Sequence, residues 1–97
     1  MTKYKIIKNK DDIIVEIKDH AEYSNEYDMV CASISTAVTM TINALDNLGY
    51  NIMDFKKQDG YISFKVNRND TVNAIIKTLE EVLNTLKEDY PNYVNTK

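Results

Sequence analysis

The sequence holds one histidine, His20, and one cysteine, Cys31, eleven positions apart. Together a thiol and an imidazole make a nucleophile and its base: imidazole, with an ordinary pKa of about 6.5, takes the thiol proton and returns it to a leaving amine. Apolar spacing that begins near Met29 puts Cys31 in the first turn of a helix, where the macrodipole and unpaired N–H groups favour thiolate. Amides of the same turn are then the candidate donors for the oxyanion of a tetrahedral intermediate. Asp28, three residues before Cys31, works the other way, because a neighbouring carboxylate raises a thiol pKa. Two roles stand open for Asp28: N-cap of the helix, or the group that orients the His20 ring as the third member of a triad. Each half of the pair also has a plain structural reading. A cysteine on an alanine-rich helix is commonly a small core residue, and a histidine in a polar loop is commonly just solvated. A catalytic Cys31 should alkylate quickly at neutral pH and lose that reactivity in His20→Ala.

The elements that must position this pair follow from hydrophobic periodicity. Tyr4 to Lys8 and Ile13 to Lys18 are Ile- and Val-rich runs separated by Asn9-Lys10-Asp11-Asp12, which is turn chemistry, so they read as a hairpin. Ile13, Val15 and Ile17 share one face at period two. From Asp19 to Asp28 the chain is polar and aperiodic and reads as a loop; Tyr23 and Tyr27 in it suit either a substrate groove or a partial lid. Ala32, Ile34, Ser35, Val38, Ile42, Leu45 and Leu48 then recur at helical spacing, with Asp28 placed as cap and Gly49 as stop. A second hairpin runs from Tyr50 to Phe55 and from Tyr61 to Val66, turned at Asp59-Gly60, with Ile62, Phe64 and Val66 inward. Asn69 or Asp70 caps a second helix carrying the stripe Val72, Ile75, Ile76, Leu79, Val82, Leu83 and Leu86, which must end before Pro91. The order β-β-α-β-β-α predicts an α+β fold of two layers, with two helices packed on a mainly antiparallel four-stranded sheet.

Composition narrows the function classes. Ninety-seven residues form one domain with a thin core, leaving no room for a separate regulatory domain. Hydrophobic residues at 43% and charged residues at 28% describe a globular chain. A net charge of −3 and a pI near 5.0 argue against a phosphate backbone as partner, so no direct nucleic-acid binding is expected. A single cysteine excludes an internal disulfide and multi-thiolate metal sites, and fits a reducing compartment. The basic start Met1-Thr2-Lys3-Tyr4-Lys5 lacks the apolar stretch of a signal peptide, and no run approaches the roughly 20 apolar residues of a membrane span. A cytoplasmic protein with no membrane association is the expectation.

Asp19-His20-Ala21, followed by Asp28-Met29-Val30-Cys31-Ala32-Ser33-Ile34-Ser35, resembles the signature of the ribosomal-processing cysteine protease family. That family carries Gly-His-Ala, a loop, then Asp-Ile-Val-Cys-Ala with a serine four residues after the cysteine. His20, Ala21, Asp28, Val30, Cys31, Ala32 and Ser35 match it position by position, and the size, element order and Tyr90-Pro91 tail extend the likeness over residues 1–97. The resemblance implies a cysteine endopeptidase, with Cys31 as nucleophile and His20 as base, that removes the short N-terminal extension of a bacterial large-subunit ribosomal protein. It further implies no cofactor and a homodimer. Asp28 and Ser35 are supporting candidates; Ser35 either hydrogen-bonds the site or is a small packing residue that lets the loop approach. The rival from another class is a noncatalytic ribosome-associated binding protein with the same fold. The departures are Asp19 in place of glycine, the added charges Glu22 and Glu26, and a loop one residue shorter, which bear on loop closure more than on the nucleophile.

Overall fold

The computed structural model describes residues 1–19 and 25–96, with backbone alone for residues 25–27. Strands β1 (Thr2–Lys8) and β2 (Asp12–Lys18) form the first hairpin, with Tyr4 opposite Ile17 and Ile6 opposite Val15. Helix α1 (Asn25–Asn47) leads to the second hairpin, β3 (Met53–Gln58) and β4 (Tyr61–Asn67), and helix α2 (Asp70–Asp89) follows. Antiparallel pairing of β2 with β4 joins the hairpins, setting Val15 against Phe64 and Ile13 against Val66. The side-chain period of two therefore puts Ile13, Val15, Ile17, Phe64 and Val66 on one face, all buried, beneath both helices. Helices on one face of a mainly antiparallel sheet is the architecture expected.

The helix ends are set by their sequence. Asn69 caps α2, its side chain accepting from the Val72 amide at 2.9 Å. After α1, Gly49 at φ +85° lets its amide reach Asp46 O while the Tyr50 amide reaches Leu45 O, the paired bonds of a Schellman stop. Val72, Ile76, Leu79 and Leu83 form the buried stripe of α2, whereas Val82, expected within it, is 41% exposed at the stripe's margin.

Three expectations are corrected. The sheet has five strands rather than four: β5 (Val94–Thr96) lies parallel to the outer side of β1, giving the order β3-β4-β2-β1-β5. Helix α1 begins at Asn25, so Asp28 is its fourth residue, exposed within the helix, and not its N-cap. Finally, Asp28–Asn47 is long and apolar enough by composition to cross a bilayer, although no such run was expected. In the fold its Val30, Ile34, Val38 and Leu45 are buried in the common core, while Met29 and Met40 are exposed on its outer side.

Candidate active site

Two strand ends and one helix converge on Cys31. In β1 the inward alternation that buries Tyr4 also buries Thr2, and in β2 the series Ile13, Val15, Ile17 carries the next inward position, Asp19, just beyond the strand. Asp19 is fixed there by its backbone: its amide donates to Gly60 O at 2.7 Å, across the turn of the second hairpin. Gly60 has φ +73°, and a Cβ at that position would stand 2.9 Å from the Asp19 carbonyl oxygen, so a side chain at 60 would push Asp19 away. On α1, Val30 and Ile34 face the core, and Cys31, adjacent to that stripe, is half-buried toward the strand ends.

Cys31 Sγ donates to Asp19 Oδ2 at 3.3 Å, Thr2 Oγ1 donates to Asp19 Oδ1 at 3.1 Å, and Thr2 Oγ1 lies 3.9 Å from the sulfur. This arrangement holds Cys31 as a thiol. Burial, the hydrogen bond to Asp19 and the Asp19 charge push its pKa up to about 11; the Thr2 contact pulls the other way, and the Asp28 charge adds a smaller upward push. The group opens into a cleft of about 160 Å³, with Ile17, Ile34, Val38 and Ile62 in its apolar lining, and Ser35 and Thr39 following Cys31 at successive turns of α1. Such a volume takes one side chain, since a cavity of about 150 Å³ holds benzene. Lys57 and Gln58, from the end of β3, line the other side.

The residues expected to act therefore fare differently. Cys31 and Ser35 share the cleft. His20, the next residue after Asp19, lies outside the described residues, as do the side chains of Glu22, Tyr23, Glu26 and Tyr27. Asp28 acts on the sulfur only by its charge, and its orienting role toward His20 involves a residue not described. Cys31 is the seventh residue of α1, not a first-turn residue, so its own amide falls inside the helical ladder, beyond the amides of residues 25–28, which have no partner within the helix. Dipole activation of the thiol is correspondingly weak, because that effect falls off within the first turn. Thr2 and the carboxylate of Asp19 were not foreseen as contacts of Cys31. Among the described residues no three His, Cys, Asp or Glu side chains converge as a metal site.

The family model described as "Cysteine protease Prp" matches residues 1–95. The chain belongs to the Prp family of cysteine proteases. No curated protein matches it in sequence. Among solved structures, the ribosomal processing protease Prp from S. aureus in complex with a substrate peptide is 25% identical, with TM-score 0.73 over all of this chain and 98% of that one. The same S. aureus Prp with a covalently linked product peptide is 26% identical, with TM-score 0.78 at the same coverage. A Streptococcus mutans protein is 23% identical with TM-score 0.81, covering all of this chain and 92% of its own, and shows the shared fold. As a Prp-family member the chain is a cysteine protease, and its only cysteine opens on the cleft.

Proposed function

We propose that the chain, as one domain over residues 1–97, is a cytoplasmic endopeptidase that removes the N-terminal extension of a bacterial large-subunit ribosomal protein. The observation that carries this reading is the family match over residues 1–95 combined with the place of Cys31, the sole cysteine, at the cleft. In the proposed mechanism His20 takes the Cys31 proton, the thiolate attacks the scissile carbonyl to form a thioester, and the proton passes to the departing amine; water then hydrolyses the thioester. The S. aureus relative captured with a covalently linked product peptide supports a covalent route of this kind.

An extended peptide suits the geometry because β3 is an outer strand of the sheet and its Lys57 and Gln58 border the cleft, so main-chain bonds along that edge would lead a substrate past Cys31. A homodimer belongs to the same proposal. Helix α1 carries no charged residue from Met29 to Leu45 and exposes Ser33, Thr36, Met40 and Asn43 on its outer side, a surface compatible with a second copy. The test of the activity is intact-mass spectrometry of the unprocessed ribosomal protein incubated with this chain and, separately, with Cys31→Ala. A defined N-terminal fragment should appear with the first and not with the second. A folded protein that binds the substrate and releases no fragment, or a Cys31→Ala protein that still cuts, would overturn the proposal.

A further inference from the structure

Both helices cover one face of the sheet, and strand register places the residues of the other. Residues directly opposite on neighbouring strands share a face, and the inward series Ile13, Val15, Ile17 leaves Ile14, Glu16 and Lys18 of β2 outward. One outward row runs from Asn95 on β5 through Lys3, Lys18 and Tyr61 to Gln58 on β3. The next runs from Lys5 through Glu16 and Ser63 to Lys56. Lys3, Lys5, Lys18 and Lys56 are all exposed. Their ammonium groups surround one carboxylate, Glu16, which accepts from the Tyr61 hydroxyl at 2.9 Å, on a chain whose total charge is −3. Further along the face Lys65 is paired with Asp54 at 3.4 Å, and Asp12 accepts from Asn9 at 2.7 Å. Net charge averages the whole surface, so the expectation of no nucleic-acid partner drawn from it does not describe this face. Lys3 and Lys18 stand directly opposite each other, a placement of like charges that costs stability, and the row they share holds no carboxylate. A bound anion turns that repulsion into attraction.

We propose that the open face of the sheet binds the phosphate backbone of an RNA strand, with Lys3, Lys5, Lys18 and Lys56 as its contacts. The spacing suits a strand of phosphates. Neighbouring β-strands lie about 4.8 Å apart, which sets Lys5 and Lys56 about 14 Å from each other across the sheet, with the Lys3–Lys18 row about 7 Å along. A nucleic-acid strand carries one phosphate per about 3.4 Å of axis, so a stretch of that length presents about four. A bilayer surface would call for apolar side chains projecting among the cations, whereas the outward Ile7 and Ile14 are half-buried on the row beyond Lys5 and Glu16. Tyr61, half-buried opposite Lys18, presents a ring on which a base can stack, a contact that an acidic protein has no base to make. Cys31 lies on α1, which packs on the other face, so the proposal stands independently of the proteolytic reading.

The experiment is fluorescence polarisation of a fluorescein-labelled, mixed-sequence single-stranded RNA titrated with the full chain in about 25 and about 75 mM KCl. Four phosphate contacts at about −0.7 each in the log–log salt slope should weaken binding about 20-fold between the two conditions. Lys3→Gln combined with Lys18→Gln should bind more weakly and halve that slope, and Lys5→Gln combined with Lys56→Gln should do the same. Removing the like-charge pair should at the same time raise the urea midpoint of the first variant, a gain in stability with a loss of binding that a purely structural lysine pair would not give. Lys77→Gln with Lys87→Gln, on α2, should leave both affinity and slope unchanged. Absence of saturable binding at about 25 mM KCl, or a slope that survives both sheet variants, overturns the proposal. Poly-L-glutamate or phosphatidylglycerol vesicles that displace the RNA at equal or lower charge concentration overturn RNA as the occupant, in favour of an acidic protein or a membrane surface respectively.

Discussion

A cysteine protease whose thiol is held by a carboxylate should be slow to react at rest, and this is the sharpest quantitative consequence of the structure. With the Cys31 pKa at about 11, the thiolate fraction near pH 7.5 is about 3 in 10,000, against about one in ten for an unfolded cysteine of pKa about 8.5. The more basic thiolate recovers part of that deficit, roughly tenfold to twentyfold over 2.5 units at a Brønsted slope of about 0.4–0.5. Without substrate, the folded chain should therefore alkylate about 20-fold more slowly than the same chain unfolded in urea, the opposite of the rapid labelling the Cys-His pair alone would suggest. The assay is quenched-flow iodoacetamide labelling read by intact mass across pH 7 to 11.5, with circular dichroism at each pH to establish that the fold persists. Partial burial of the sulfur slows labelling at every pH alike, so the midpoint isolates ionisation. The folded rate should climb nearly tenfold per pH unit until it levels near pH 11, while the unfolded rate levels near pH 9. A folded plateau at or below pH 9, or folded labelling faster than unfolded at neutral pH, would refute the role assigned to Asp19 in the resting site.

Substitutions around the sulfur should move that midpoint in opposite directions. Thr2→Val removes the contact that lowers the Cys31 pKa and should shift the labelling midpoint upward, whereas Asp28→Asn removes a charge that raises it and should shift it down by about half a unit, the size expected of an exposed charge one helical turn away. Leu83→Ala at a fully buried position of α2 should cost about 2–5 kcal/mol in urea unfolding, a large share of the stability of a small domain. Met40→Lys on the outer side of α1, where the side chain is 72% exposed, should change monomer stability by no more than about 0.5 kcal/mol. In sedimentation it should turn a dimer into a monomer if α1 forms the contact; a dimer that survives places the interface elsewhere.

The parts of the fold that could be read from the residues are those with a local signal. Ile13, Val15 and Ile17 alternate, the α2 stripe repeats at helical spacing, and Asp59-Gly60 and Gly49 mark chain reversals that the backbone adopts at positive φ on both glycines. Strand β5 had no such signal: three residues, of which only Val94 is buried, pair with a strand more than ninety positions earlier, and neither period nor turn chemistry encodes a parallel contact of that range. The early start of α1 was partly legible, because Glu26 and Asp28 ahead of an apolar run are the acid enrichment of a first helical turn. Reading Asp28 as a cap concealed it. That one-turn shift matters chemically, since it moves Cys31 from the activating amides into the body of the helix.

Asp19 was legible in a different way. Carrying the alternation of β2 two residues past Ile17 puts position 19 on the face that looks at α1, and applying the same rule to β1 puts Thr2 beside it. Treated as a substitution in a hinge, Asp19 bears only on how a loop moves; placed by strand period, it becomes a partner of the Cys31 sulfur. What sequence could not supply is the sign of the outcome. A carboxylate near a cysteine can orient a protonated base and so stabilise an ion pair, or it can accept the thiol proton's hydrogen bond and stabilise the neutral form. The 3.3 Å contact between Cys31 Sγ and Asp19 Oδ2 selects the second for the resting protein. Because thiolate character also sets susceptibility to oxidation, the same contact protects a lone half-buried cysteine between turnovers.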